Sequence, residues 1–446
     1  MPDPIRKSRV PACVLLLLLS ACTAAQDLAI VGARAYPAPD AAPIEDATVL
    51  VRDGRIAAVG PRASVAVPPG VRVVDGRGKS VTAGFWNSHV HLIEPPFRQP
   101  DAQPAAALEQ ALRERFTRWG FTTVFDIASL PGDARALRAR IERGEVAGPR
   151  LLTVDMPFFP KHGTPVYVRE LWRQTRAPSA EVTTAGQARE RAARQIAAGA
   201  DGVKLFTGAI LGGPGAVLPM PVEIARAAAD AAHAQGKPVF AHPTDQAGLD
   251  VALASGVDVL AHAAPDAGAW SPEFVARLKA EDVAFVPTLA LFDSELRREQ
   301  APEAVRAKFV GSAQQQLGAM AAGGGRVLFG TDAGYIHVFD TRLELQLMAA
   351  AGLDWRQILA SLTTGPAKHF GQAGERGRLE PGMAGDLVVL DADPQARADA
   401  FADVHMTVRD GRVLHDAAEP AARDAASPAP ASARHHSSPP SGPTRH

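Results

Sequence analysis

Between residues 85 and 331 the chain alternates repeatedly between a short apolar run and a stretch rich in Ala, Arg and Glu. The runs 85–92, 122–127, 151–154, 202–206, 238–242, 257–262, 283–287 and 327–331 read as strands. The stretches between them, among them 184–198, 222–235, 248–255 and 271–280, read as helices. A strand that is apolar along its whole length is covered on both faces, and parallel neighbours need a crossover, usually a helix. Eight such strands in a row favour a closed barrel over an open sheet. No Gly-rich phosphate-binding fingerprint follows any of the runs, which weakens the open alternative further.

Outside this region the texture changes. Val51-Arg52-Asp53-Gly54-Arg55 recurs as Val408-Arg409-Asp410-Gly411-Arg412. Asp-Gly between β-branched runs is a hairpin signal, because both turn residues must accept positive φ. One such hairpin near each end suggests that strands from both termini meet in one small β unit. The expected fold class is therefore α/β: a TIM-type (β/α)8 barrel over 82–369, with a small β-sandwich domain built from both chain ends, 27–81 and 370–415.

The flanking segments carry a different message. Arg6, Lys7 and Arg9 precede an apolar run at 14–19, shorter than the roughly 20 residues that a spanning helix needs but suited to a signal peptide. Residues 1–22 end in Leu19-Ser20-Ala21-Cys22, which resembles a bacterial lipobox. With Thr23 following, the expectation is an exported chain on the periplasmic side, lipid-anchored at Cys22 and held at the outer membrane. An ordinary cleaved signal peptide is the alternative. Cys13 and Cys22 are the only cysteines, so the body of the chain has no thiol for a disulfide, catalysis or a metal. Residues 416–446, dominated by Ala, Pro, Ser and Arg, read as a disordered tail. A net charge of −1 offers no electrostatic case for nucleic acid or an anionic surface. The expected partner is a small molecule, with membrane contact through the anchor only and homo-oligomer formation left open.

In a barrel of this type the site is built at the C-terminal ends of the strands. The first run ends His89-Val90-His91, and period-two alternation points both imidazoles the same way. Lys204 sits in the fourth run, His242 and His262 close the fifth and sixth, and Asp332 follows the eighth. A polar group ending an apolar strand is costly without a partner. Each residue taken singly is weak as a signal, but imidazoles and a carboxylate converging on one mouth suit a zinc-like cation. Asp126, His233 and His369 read as structural or solvated residues.

These residues carry a resemblance. The chain from 28 to 415 is similar to the amidohydrolase superfamily, within its imidazolonepropionase- and prolidase-like branch. The likeness rests on Gly84-Phe85-Trp86-Asn87-Ser88-His89-Val90-His91, Gly330-Thr331-Asp332-Ala333, Thr364-Gly365-Pro366-Ala367 and the run from Gly382 to Leu390. It implies a hydrolase with two divalent metal ions, zinc being expected. His89, His91 and Asp332 would hold one, His242 and His262 the other, and Lys204 would bridge them as a CO2-derived carbamate. An unmodified Lys204 in a mononuclear site is the alternative.

The implied chemistry is hydrolysis of an open-chain amide, such as a dipeptide or an N-acyl amino acid, with Asp332 as proton carrier. His162, in Lys161-His162-Gly163, stands where prolidase-like relatives place a histidine that polarises the substrate carbonyl. Tyr335 and His337 are further candidates to line the pocket. A mononuclear cyclic amidohydrolase or deaminase, and a non-catalytic binding lipoprotein, are the competing readings.

Overall fold

The computed structural model describes residues 27–212 and 216–418. The signal segment with Cys22 and the tail beyond 418 lie outside the described residues, so those expectations stand as they were.

Two parallel sheets form the α/β body. One joins Phe85–Val90, Phe121–Asp126 and Arg150–Thr153. The other joins Val203–Leu205, Val239–Ala241, Val259–Leu260 and Ala284–Phe285. Single parallel bridges, Phe158 with Leu205, Phe285 with Val327 and Val90 with Ala333, run between and beyond them. The parallel α/β unit is therefore present, but the expected single closed ladder of eight strands is not. The run 327–331 makes only bridges. Its end turns both the Thr331 and Asp332 amides onto the His89 carbonyl, at 3.3 and 3.0 Å, and Asp332 adopts φ +59°. A chain bent in this way cannot continue a strand ladder.

Alternation along the strands sorts the side chains into two layers. Phe125, Phe240, Val259, Ala284 and Leu328 share an inner cluster, while their neighbours Val124, Val239, Leu260 and Phe285 pack outward against helices. The helices begin where their capping residues dictate. Thr184 accepts from Gln187 N, Asp245 from Gly248 N and Ser271 from Phe274 N. These caps open Ala185–Ala197, Gln246–Ala254 and Pro272–Ala280, and each contributes about 1 kcal/mol.

Both chain ends enter one eight-stranded sheet; a division into two facing sheets is not part of its pairing. The path runs from Arg412–Asp416 through Val404–Arg409, Leu387–Leu390, Ser80–Ala83, Leu28–Ala35 and Ile44–Arg52 to Arg55–Pro61, and Arg72–Asp75 pairs with Leu28–Ala35. Leu387 and Val389 face this sheet's own core with Ile30, Val49 and Val81, whereas Val388 and Leu390 face the α/β body. The repeated hairpins turn at Asp53-Gly54 and Asp410-Gly411, all four residues at positive φ. Their tips meet at Gly385, whose amide donates to the Gly54 carbonyl at 2.7 Å and whose carbonyl accepts from Gly411 at 3.1 Å.

Candidate metal centre

His89 and His91 leave the same face of the strand Phe85–Val90 and its extension, one fully buried and the other nearly so. Their Nε2 atoms stand 3.3 Å apart. The bent segment after residue 330 brings Asp332 Oδ1 to 2.9 Å from His89 Nε2 and 2.7 Å from His91 Nε2. Gly330 is required for this approach, since a Cβ there would lie 2.7 Å from His89 Cβ.

Buried backbone partners hold His91 in place. Its Nδ1 lies 3.2 Å from the Ala128 carbonyl, which can only accept, so Nδ1 carries the proton and Nε2 faces Asp332 with its lone pair. Asp126, fully buried, accepts from the Leu92 amide at 3.0 Å and from Thr153 Oγ1 at 2.6 Å. It braces the turn after His91 and touches none of the clustered atoms.

The remaining ring residues pack alongside. The His262 ring centroid is 4.4 Å from that of His89 and 4.6 Å from that of His242, and His242 stacks on Phe206 at 4.5 Å. Thr288 Oγ1 meets His262 Nδ1 at 2.9 Å. Lys204 is 1% exposed and lines the same cleft as His91, His242, His262 and Asp332.

Burial pushes the His242 and His262 imidazoles well below their ordinary range and His89 down to about 3. It also lowers the Lys204 ammonium to about 7, against the pull of Asp332. For Asp332 burial alone would raise the carboxyl, but the flanking imidazoles outweigh it and hold it well below the carboxylate range. Burial thus favours neutral His89, His242 and His262 beside an ionised Asp332. Asp332 Oδ1, buried, has no hydrogen-bond partner despite its short distances to both rings. Three potential ligand atoms crowded in this way point to a cation: at 2.7–3.3 Å they stand slightly closer than the roughly 3.3–3.6 Å expected of atoms about 2.0–2.2 Å from one tetrahedral ion. His89, His91 and Asp332 form the tight group, within 4.8 Å of one another, while His242, His262 and Lys204 stand beside it.

Other expectations fare differently. His162 sits exposed in a turn at φ +59°, its amide on Glu181 Oε2 at 2.8 Å, and is not among the cleft-lining residues. The turn is held by its own carboxylate acceptor and faces solvent, which keeps His162 apart from the residues that the structure collects around the cleft. Tyr335 lines the cleft; His337 does not, its side chain being 75% exposed beside Glu94. His233 is exposed, as expected, and bonds Asp258 at 2.8 Å. His369 accepts from Arg326 at 2.8 Å and is pushed down by burial to about 4, so it is neutral. Sequence reasoning missed the aromatic wall and Thr288. The helix Leu289–Arg298 does carry a readable stripe, Leu291, Phe292, Glu295 and Leu296, whose face toward the cleft could have been inferred from its spacing.

A parallel α/β body of the TIM-barrel type, with imidazoles and a carboxylate collected where its strands end, defines an enzyme scaffold with a metal-ligand cluster. The chain belongs to the amidohydrolase family, hydrolases of carbon–nitrogen bonds, whose sequence pattern matches residues 80–414. Over 70 residues, 15% of this chain, it is 46% identical to the imidazolonepropionase of Myxococcus xanthus, and that stretch spans only 17% of the relative. A candidate prolidase from Bifidobacterium longum superposes with a TM-score of 0.73 at 25% identity, over 87% of this chain and 95% of that one. A Xaa-Pro dipeptidase with bound methionine in its active site superposes with a TM-score of 0.74 at 19% identity, over 87% and 99%, and shares the fold.

Proposed function

We propose that the protein hydrolyses an open-chain amide bond, water and amide giving a carboxylic acid and an amine. The observation that carries this reading is Asp332 Oδ1 lying within 3 Å of both the His89 and His91 Nε2 atoms at the floor of a cleft. A bound divalent cation supplies Lewis acidity to a carbonyl oxygen and draws the pKa of water toward neutrality. In this reading His89, His91 and Asp332 would hold one ion, His242 and His262 would hold a second, and Lys204, as a carbamate, would be a ligand shared by both; zinc is the proposed metal. Asp332 takes a proton from the attacking water and delivers it to the departing amine. His91, oriented by the Ala128 carbonyl, keeps its Nε2 lone pair toward the cleft, and Thr288 Oγ1 holds the ring of His262 through Nδ1. Dipeptides, N-acyl amino acids and other open-chain amides fall within this activity. The exported, Cys22-anchored form remains part of the proposal and rests on the sequence of residues 1–22.

The compactness of His89, His91 and Asp332 relative to the other ligands favours a second reading, a mononuclear centre. Metal content of the purified chain separates the two. Near two ions per chain, falling with Lys204→Ala, supports the bridged centre; one ion, indifferent to Lys204, supports the mononuclear one. A folded chain that takes up no divalent metal removes both.

A further inference from the structure

The cleft above the cluster encloses about 310 Å³, at the small-molecule end of ligand cavities. Its walls are aromatic: Phe159, Tyr167, Trp172, Phe206, Phe292 and Tyr335. They support one another rather than pointing at random. Phe159 packs on Phe206 at 4.7 Å and on Trp172 at 5.9 Å, and Tyr167 packs on Tyr335 at 5.1 Å.

The charges on this wall are of one sign. Among the described lining residues Lys204 is the only Lys or Arg, and it lies at the floor beside the ligands, whereas Asp266, Glu295 and Glu299 all face the cleft. Arg298, on the same helix, is paired with Glu295 and sits 5.9 Å from the Tyr335 ring. Away from the metal-binding floor, a substrate with a free carboxylate would meet an apolar wall on which Asp266 and Glu299 are carboxylates, Glu295 is paired with Arg298, and no described lining residue is a Lys or Arg. Like charges brought together in such a site are strongly disfavoured, which is how a site rejects a competitor.

We infer that the substrate is an uncharged amide carrying an aromatic or bulky apolar group beside the scissile bond, and that dipeptides and N-acyl amino acids with a free carboxylate are disfavoured. This rests on the amide-hydrolase reading above and narrows it. The ring faces of Trp172 and Phe292 hold the apolar group, and Asp266, Glu295 and Glu299 exclude an anion.

The test uses the full-length, metal-replete chain and two compounds with the same benzamide bond. N-benzoyl-2-phenylethylamine is neutral, and N-benzoylphenylalanine differs from it only by a carboxylate. Binding is followed by fluorescence, with Trp172→Phe identifying the contribution of one of the chain's five tryptophans, and amine release is followed in parallel. The expected result is saturable quenching that Trp172→Phe diminishes, with affinity and kcat/KM for the neutral compound at least about tenfold above the acid. Glu299→Arg should narrow that gap by roughly threefold or more. Equal or better use of the acid, no quenching by the neutral compound, or a gap unmoved by Glu299→Arg each overturns the inference. Selective quenching by the neutral compound without amine release supports the cleft's preference and overturns the hydrolase reading instead.

Discussion

Asp332 Oδ1 lies 2.7 Å from His91 Nε2, although the two residues come from opposite ends of the α/β body. The contact exists because residue 332 takes a left-handed backbone conformation and folds back over the first strand. If Asp332 is the proton carrier, Asp332→Asn keeps the shape and loses the base. The expected outcome is a fall in kcat of roughly 10²–10⁴-fold with the thermal unfolding midpoint little changed. A variant that keeps near-normal turnover removes Asp332 from that role.

Thr288 is a β-branched residue at φ +47°, a conformation that such side chains rarely adopt, and its hydroxyl holds His262 Nδ1 at 2.9 Å. Thr288→Val removes the hydroxyl and keeps the volume. Metal affinity or activity is expected to drop by about 10–100-fold, as for other residues that orient a metal-binding histidine. Thr288→Ser should recover most of the loss. Titrating metal into the stripped variants gives the affinity without recourse to turnover, and equal affinities across the series would show that Thr288 acts on the backbone alone.

Glu344 is 1% exposed and accepts from the Leu289 and Ala290 amides at 2.9 and 2.6 Å, anchoring the start of the cleft-lining helix Leu289–Arg298. Burial pushes its carboxyl from 4.5 up to about 7, against those two donors. The folded chain then holds a proton that the unfolded chain has lost. Its contribution to stability is complete below about 4.5 and declines as pH rises through about 7. Compared with Glu344→Gln, wild type should lose up to a few kcal/mol of relative unfolding free energy between pH 5 and 8, read from denaturant unfolding at each pH. A constant difference would mean that the two amide donors keep the carboxylate ionised throughout.

Gly385 joins the two repeated hairpins. A Cβ there would stand 2.6 Å from Val51 Cγ1 and 3.0 Å from the Gly54 carbonyl oxygen. Gly385→Ala is expected to cost about 1–3 kcal/mol by overpacking, read as a lower unfolding midpoint with kcat/KM per folded molecule unaltered. An unchanged midpoint would show that the hairpin tips yield without cost.

Periodicity and residue type were enough to read much of this molecule. Apolar runs alternating with Ala/Arg/Glu-rich stretches marked the α/β body because burial on both faces leaves no room for polar alternation, and Asp-Gly marked the hairpins because few other pairs accept two positive φ values. His89 and His91 were legible as a pair through period two alone. Tertiary structure decided what depends on distance between remote segments. His162 stands where prolidase-like relatives place a histidine yet faces solvent, since the direction of a loop is set by its local acceptor, Glu181, and not by its place in the chain. The approach of Asp332 to His91, the Thr288 hydroxyl behind His262 and the one-signed aromatic wall all arise from backbone bends and helix placement, which no local pattern encodes.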